Sequence, residues 1–220
     1  MLIPLRPGEL QRLIPAVATA GQFRFCLGSP QEILQRVMVA TIGGVITFLV
    51  YNQAQMGSRW GPFWLVTSVV FFLYILWGPI VQAGQRNATL RRYPFAALFE
   101  GVVANVRTRE RVENQHEQAD SRGKLELIEN RRTWMLLELE DAEGYLGRVA
   151  FPMEKNHKVI REGIRIRCLV FSERKDFSRI GALSDAWLPE LRLWVGDYPY
   201  LLRPALEELC RLRVSRGGRN

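Results

Sequence analysis

The residues that could do chemistry in this chain are few and far apart. The 220 residues include only two histidines, His116 in the segment 113–124, which we predict to be a polar loop, and His157 in the segment MEKNHKVI. Neither histidine has a partner at a metal-ligand spacing, and no GxSxG motif supplies a serine that His157 could activate. We therefore predict no catalytic residue, no metal site and no cofactor. His157 is interpreted as a surface or capping residue near a turn.

The cysteines also argue against an enzyme. Cys26, Cys168 and Cys210 are odd in number and far apart, and no CxxC pair exists. We expect three reduced thiols that face a reducing compartment. The GxxxxGK[ST] and GxGxxG loops that cradle phosphate groups are missing as well. The sequence therefore predicts a non-enzymatic protein and says more about architecture than about activity.

The segment that decides the class of the protein is 60–81, WGPFWLVTSVVFFLYILWGPIV. It carries no charge, and the uncharged run continues to Gln85. The hydrocarbon core of a bilayer, ~30 Å thick, needs about 20 helical residues. Trp60, Trp64 and Trp77 lie toward the ends of the run, where amphipathic rings prefer the membrane interface. We predict a membrane span at 60–81 with these tryptophans as interface anchors.

A second apolar run, VMVATIGGVITFLVY at 37–51, precedes the first and predicts a span at about 33–53. Arg36 reaches the interface by snorkelling. Four small side chains recur along the run and allow a neighbouring helix to approach closely, so we expect this face to pack on the other span. They are Ala40, Gly43, Gly44 and Thr47.

The connection between the spans is short, so residues 33–85 are predicted to form an antiparallel hairpin. Basic residues flank it on one side, whereas the connection holds only Arg59. By the positive-inside rule both termini are cytoplasmic. The flanking arginines, which we count as further interface anchors, are Arg36, Arg86, Arg91 and Arg92. A net charge of +8 agrees with an anionic membrane surface as the partner.

The remainder of the chain is predicted to be cytoplasmic. Residues 95–196 read as short strands, best seen in IRIRCLVF at 164–171, where apolar and basic residues alternate. This predicts a small antiparallel β-barrel of the OB or SH3-like kind. Residues 1–32 are expected to form an interfacial segment, and 197–220 an amphipathic helix with a disordered tail. The fold class is therefore a membrane protein of α+β type.

The segment LWVGDYPYLLR at 193–203 is the most unusual part of this domain. Its aromatic rings surround an aspartate and a proline, a mixture typical of binding hot spots. The alternative is a well-packed chain crossing after the last strand. The candidate partner surface is Trp194, Asp197, Tyr198 and Tyr200.

Several motifs carry a resemblance that runs along nearly the whole chain. They are the opening MLIPL…LIPAVATAGQF, LIENR (127–131), KNH (155–157), SRI (178–180), SD (184–185) and LWVGDYPYLLR. The chain resembles a family of small two-span membrane proteins of cyanobacteria and plastids that are often labelled phosphate ABC transporter permease. The resemblance implies a thylakoid or plasma membrane. However, two uncharged helices cannot enclose a polar pathway by themselves.

Three functions remain open at this point. The leading hypothesis is an adaptor that presents the β-domain to a membrane protein complex, or to further copies of itself, and helps its assembly or stability. The second is a small transporter subunit, as the family label implies. The third, weaker hypothesis is a membrane-tethered nucleic-acid binder that uses Arg165 and Arg167. We expect nucleic acid not to be a partner, because the domain is also rich in acidic residues.

Overall fold

A computed structural model describes residues 1–54, 59–119, 125–142 and 144–217. The protein is a mixed α+β protein that divides into two compact units. The helical unit is Ile14–Thr89, and the sheet unit joins Met1–Leu13 to Leu90–Asn220. The predicted connection 52–59 lies partly outside the described residues.

The elements, in chain order, are β1 (Leu2–Pro4), α1 (Pro7–Leu13), α2 (Ala20–Leu27), α3 (Pro30–Ala54), α4 (Gly61–Phe72), α5 (Tyr74–Arg91), β2 (Phe95–Ala119), β3 (Leu125–Asp141), β4 (Gly144–Pro152), a 3₁₀ turn (Lys155–Val159), β5 (Arg165–Ser172), β6 (Ile180–Leu188), β7 (Leu193–Val195) and α6 (Arg203–Gly217).

One helix of the helical unit, α3, is long and apolar enough to cross a membrane. Its span Pro30–Gln53 has a mean hydropathy of 1.9 over 24 residues. At 1.5 Å per residue, such a helix covers a hydrocarbon core of ~30 Å. The predicted first span at 33–53 thus coincides with a single continuous helix.

The predicted second span, 60–81, is not one straight helix. The chain bends by 73° between α4 and α5, so a second crossing exists only if the bent pair counts as one span. The 12 residues of α4 cover about 18 Å, less than the hydrocarbon core. At the bend, the Leu73 amide donates to the carbonyls of Val69 and Phe71, and α5 begins at the next residue, Tyr74. An uncharged segment of this length is predicted to be apolar, but its sequence does not show whether it forms one straight helix.

The sheet unit is built on an antiparallel sheet with the strand order β4-β3-β2-β5-β6-β7, and β1 pairs with β2. The sheet curls into a half-barrel around one core cluster that includes Phe99, Leu137, Phe151 and Ile166. In the described strands, β4 and β7 end the strand order and do not pair with each other, so the closed barrel expected from the sequence is not seen.

The boundaries of the sheet unit differ from the predicted domain 95–196. Residues 2–4 form a strand with register Leu2↔Phe99, which places the N-terminal segment in the sheet unit. The segment expected to be a loop at 113–124 continues β2 as far as Ala119, because β3 supplies a paired backbone there. Helix α6 extends to Gly217, through most of the expected disordered tail. Residues 218–220 lie outside the described residues.

Candidate functional site

The small-residue face of α3 lies against α4. A Cβ atom on Gly43 would fall 2.4 Å from the ring of Phe71, and one on Gly44 would fall 2.8 Å from the ring of Phe72. The Ser68 hydroxyl donates to the Gly44 carbonyl at 2.9 Å. A side chain at either glycine would therefore force the helices apart.

The two other predicted packing residues are also buried. Ala40 is 6% exposed and Thr47 is 8% exposed. The Thr47 hydroxyl donates to the Gly43 carbonyl of its own helix at 2.7 Å, so it presents its methyl group rather than a free donor. This face offers close packing and no reactive group.

Polar side chains gather where α2, α3 and α5 meet. Gln22 and Asn87 are both 0% exposed and exchange two amide hydrogen bonds of 3.0 and 3.1 Å. Arg36 is half-buried, and its Nη2 donates to the Cys26 carbonyl at 2.8 Å and to Gln82 Oε1 at 2.9 Å. The predicted anchor Arg36 thus bonds to protein acceptors instead of only reaching outward.

The other predicted anchors occupy different environments. Trp60 is 67% exposed and Trp64 is half-buried, whereas the Trp77 indole donates to the Val70 carbonyl at 2.8 Å across the bend. Trp77 thereby satisfies a carbonyl that the end of α4 leaves free. Three predicted anchor arginines follow the predicted hairpin. The guanidinium carbon of Arg86 lies 5.5 Å from the centre of the Phe25 ring, and Arg91 and Arg92 are exposed.

In the sheet unit, four side chains form a continuous row across β5, β6, β7 and the start of α6. Arg167 lies 5.8 Å from the Trp187 ring, Trp187 stacks on Trp194 at 6.2 Å, and Arg203 lies 5.3 Å from the Trp194 ring. The register makes this row, since Arg167↔Trp187 and Trp187↔Trp194 are directly opposed pairs. Arg167 also bonds Glu100 through Nε at 2.9 Å. We call Arg167, Trp187, Trp194 and Arg203 the arginine–tryptophan row.

A cavity of about 480 Å³ lies between β4 and β6 of the same unit. Small residues such as Gly147, Ala150 and Gly181 leave this space, and Arg148 and Asp197 are its charged lining residues. Arg148 is also 3.6 Å from Glu138. The volume of this cavity lies in the range of ligand pockets, at roughly 300–1,000 Å³.

The predicted partner surface is split by the structure. Trp194 belongs to the arginine–tryptophan row, Asp197 is exposed and lines the cavity, and Tyr200 is half-buried. Tyr198, however, is only 1% exposed, with its ring 4.6 Å from that of Tyr200. Tyr198 therefore belongs to the packed interior and cannot contribute to a surface, which corrects that part of the prediction.

The aspartate that sequence reasoning did not single out is Asp185, in the SD motif. It is 4% exposed, and its Oδ1 accepts the Leu201 amide at 3.0 Å, whereas Oδ2 has no hydrogen-bond partner in the described part of the chain. Burial raises the pKa of Asp185 to about 7, against the opposing effects of the Leu201 bond and of Arg203. A Cβ on Gly196 would lie 2.8 Å from the Asp185 Cβ. The SD and LWVGDYPYLLR motifs thus meet in space.

The other residues considered for chemistry have structural surroundings. His157 is 8% exposed, its Nδ1 accepts the Glu154 amide at 3.1 Å, and its ring meets Phe151 edge-on. This capping role was one of the two predicted for His157, whereas the side chain of His116 lies outside the described ones. The three cysteines are buried, no disulfide joins them within the described residues, and burial raises the pKa of Cys168. Within the described residues, no group of three or more His, Cys, Asp or Glu could hold a metal ion.

Comparison with known proteins gives a family but no function. The chain belongs to DUF8619, a family of unknown function, whose model matches residues 3–215. No curated protein and no solved structure matches the chain.

Proposed function

We propose that this protein is a membrane-anchored adaptor, in which the helical unit holds the sheet unit beside a membrane protein complex. The observation that carries the proposal is the arginine–tryptophan row on the sheet unit, in which both tryptophans are half-buried and Arg203 is exposed. Tryptophan and arginine are the side chains most enriched at binding hot spots. The two stacked tryptophan rings between two arginines match this composition, which supports a partner surface.

The anchoring half of the proposal rests on the exposed apolar side chains of α3, α4 and α5. Val39 is 48% exposed, Ile46 56% and Val66 62%, and residues 60–85 contain no charge. A surface of this composition is costly in water and favourable in lipid. We propose a two-pass hairpin in a thylakoid or plasma membrane with both termini cytoplasmic, in which bent α4–α5 forms the second pass.

The ribbon formed by β2 and β3 supports the adaptor role. Beyond Val103, β2 pairs only with β3 in the described sheet, from Asn105↔Glu138 to Ala119↔Leu125. A two-stranded ribbon is marginally stable by itself in water. A partner that covers the ribbon would stabilise it, as expected for a protein that works inside a complex.

Co-purification of the full-length protein after mild detergent extraction tests the adaptor role. We expect wild type to retain protein partners and Trp194→Ala to lose them, because hot-spot aromatics contribute ~2 kcal/mol or more, roughly thirtyfold in affinity. Trp60→Ala is the matched control, since Trp60 is exposed and lies outside the row. Partners retained by Trp194→Ala, or lost equally by Trp60→Ala, would contradict the proposal. Salt-sensitive RNA or DNA in place of protein would favour the nucleic-acid hypothesis.

The topology has a separate test. All three native cysteines are buried, so a cysteine introduced at the exposed Arg59 gives a clear signal in sealed vesicles. We expect Arg59→Cys to be labelled only from the outer or lumenal side. Labelling from the cytoplasmic side would contradict the two-pass hairpin.

A second candidate function, a transport subunit, is favoured by the bend between α4 and α5. Discontinuous helices line the substrate sites of many transporters. At the bend, the Val70 carbonyl accepts the Trp77 indole, and the Val69 and Phe71 carbonyls accept the Leu73 amide. Co-purification of an ATPase would favour this candidate over the adaptor.

A further inference from the structure

The helical unit has more basic side chains than acidic ones. Residues 14–89 contain four arginines, Arg24, Arg36, Arg59 and Arg86, but only one acidic residue, Glu32. The Glu32 carboxylate accepts the Ser29 amide at 2.6 Å at the start of α3. Within the described residues, no salt bridge pairs Arg24 or Arg36 with a carboxylate.

The guanidinium group of Arg36 is held in place by hydrogen bonds that use only some of its N–H donors. Both of its protein hydrogen bonds, to the Cys26 carbonyl and to Gln82, are made by Nη2 to uncharged acceptors. A guanidinium group has five N–H donors, so donors on Nε and Nη1 remain for a further acceptor. A Cβ on Gly78 would lie 3.1 Å from Nη1, so the glycine gives the guanidinium its room beside α5.

Two more arginines lie around the same turn of α2. Arg86 follows Gln82 by one turn of α5, and its guanidinium lies over Phe25, the residue next to Cys26. Arg24 is exposed in that last turn of α2. The C-terminal carbonyls of α2 compensate only about half a unit charge. A net positive site therefore forms on the side where α3 begins.

We propose that Arg36, with Arg86 and Arg24, binds the phosphate of an anionic phospholipid headgroup. Guanidinium groups match phosphate oxygens in bidentate geometry. Apolar side chains for the acyl chains are adjacent, since Val37 is 40% exposed beside Arg36 and Val81 is 46% exposed beside Gln82. Basic pockets between membrane helices are known to take such headgroups. This inference rests on the proposed insertion of the helical unit into a bilayer.

Native mass spectrometry of the full-length protein in detergent, titrated with phosphatidylglycerol or phosphatidylcholine, tests the site. We expect wild type to prefer phosphatidylglycerol and Arg36→Gln to reduce this preference roughly tenfold, through the loss of charge-assisted bonds. Arg24→Gln should reduce it less, and it keeps the test valid if Arg36→Gln does not fold, because Arg24 is exposed. Arg59→Gln, beyond the far end of α3, is the control and should leave the preference unchanged. Equal losses in Arg36→Gln, Arg24→Gln and Arg59→Gln would overturn the proposal.

Two further measurements separate the possible causes of failure. Inorganic phosphate at millimolar concentration should not displace phosphatidylglycerol, and displacement would show a site for free phosphate instead. Carbonate extraction of membranes tests the anchor itself. If carbonate releases the protein, the anchoring proposal fails together with the lipid site. If the protein resists carbonate but binds both lipids equally, only the lipid site fails.

Discussion

The helical and sheet units use apolar side chains in opposite ways. In the sheet unit, Phe99, Leu137 and Phe171 are 0% exposed. In the helical unit, large apolar side chains such as Ile46 and Val66 are more than half exposed, while the amides of Gln22 and Asn87 are fully buried. An inverted pattern of this kind is stable where the surroundings are themselves apolar. The contrast between the two units is the one expected if the helical unit lies in a bilayer, as proposed, and the sheet unit lies in water.

The units also differ in how they treat buried polar atoms. In the helical unit, Gln22 pairs with Asn87, and Ser68 donates to Gly44. In the sheet unit, one oxygen of Asp185 is buried without a hydrogen-bond partner among the described residues. Unsatisfied polar atoms cost more where water is absent. The sheet unit therefore contains a buried carboxyl whose charge changes near neutral pH, because burial raises the pKa of Asp185 to about 7.

The largest effect is expected from Tyr198→Ala, which opens the interior of the sheet unit. Truncating a buried ring of this size costs about 3–5 kcal/mol of unfolding free energy. Trp194→Ala, in the half-exposed row, should cost clearly less. Urea unfolding of the full-length protein in detergent, followed by the circular dichroism of the strands, compares them. Similar midpoints for the two variants would mean that Tyr198 is not a core residue.

A pH series on Asp185 should give the next largest effect. The pKa is about 7 in the folded chain and 3.8 in the unfolded chain, so protonated Asp185 favours the folded state. Its contribution to the free energy of unfolding is fully present below about pH 4. As the pH rises from there to about 7, this contribution falls by on the order of 1.4 kcal/mol per pH unit. Asp185→Asn should unfold with a flatter pH dependence. Parallel curves for wild type and Asp185→Asn would contradict the buried carboxyl.

In the helical unit, Gly44→Leu should have a moderate effect. A Cβ there already lies 2.8 Å from the Phe72 ring, so the larger side chain separates α3 from α4. Overpacking of this kind costs about 1–3 kcal/mol. Val45→Leu is the control, because Val45 is 44% exposed. Thermal inactivation in detergent should distinguish the two, and equal stability would argue against a close seam.

The smallest effect is expected from Trp77→Phe, which removes the indole donor at the bend. One hydrogen bond between membrane helices contributes roughly 0.6 kcal/mol, up to ~1.7. Trp64→Phe should change less, since no hydrogen bond from its indole is seen in the described residues. Scanning calorimetry in detergent measures both. A larger loss for Trp64→Phe would show that the indole bond does not hold the bend.

Sequence patterns predicted local properties well and long-range ones poorly. Apolar length identified α3 as a membrane-length helix, and alternation at 164–171 identified β5. The bend at Leu73 was not visible, because its closing bond joins Trp77 to Val70 only after folding. The strand Leu2–Pro4 is too short to carry a pattern and exists through its register with Phe99.

The arginine–tryptophan row was also hard to predict, because it depends on contacts between distant parts of the sequence. Its members come from four elements. The strand register makes neighbours of Arg167, Trp187 and Trp194, and the start of α6 adds Arg203. Trp194 was predicted from its local aromatic company, whereas Trp187 was overlooked because it stands alone in DAWL. Two sequence motifs, SD and LWVGDYPYLLR, were the signal that could have pointed to Asp185.

The pairing of β1 with β2 has a consequence for biosynthesis. Residues 1–13 belong to a unit whose other part begins at Leu90, so the helical unit interrupts the sheet unit in the order of translation. The Leu13 carbonyl accepts a hydrogen bond from the amide of Leu202, which lies near the other end of the chain. Chains fold from the N-terminal side as they emerge, and contacts this distant form late. The whole helical unit, Ile14–Thr89, is therefore synthesised before the sheet can be completed. Under the proposed anchoring, it would reach the bilayer before the sheet unit has folded.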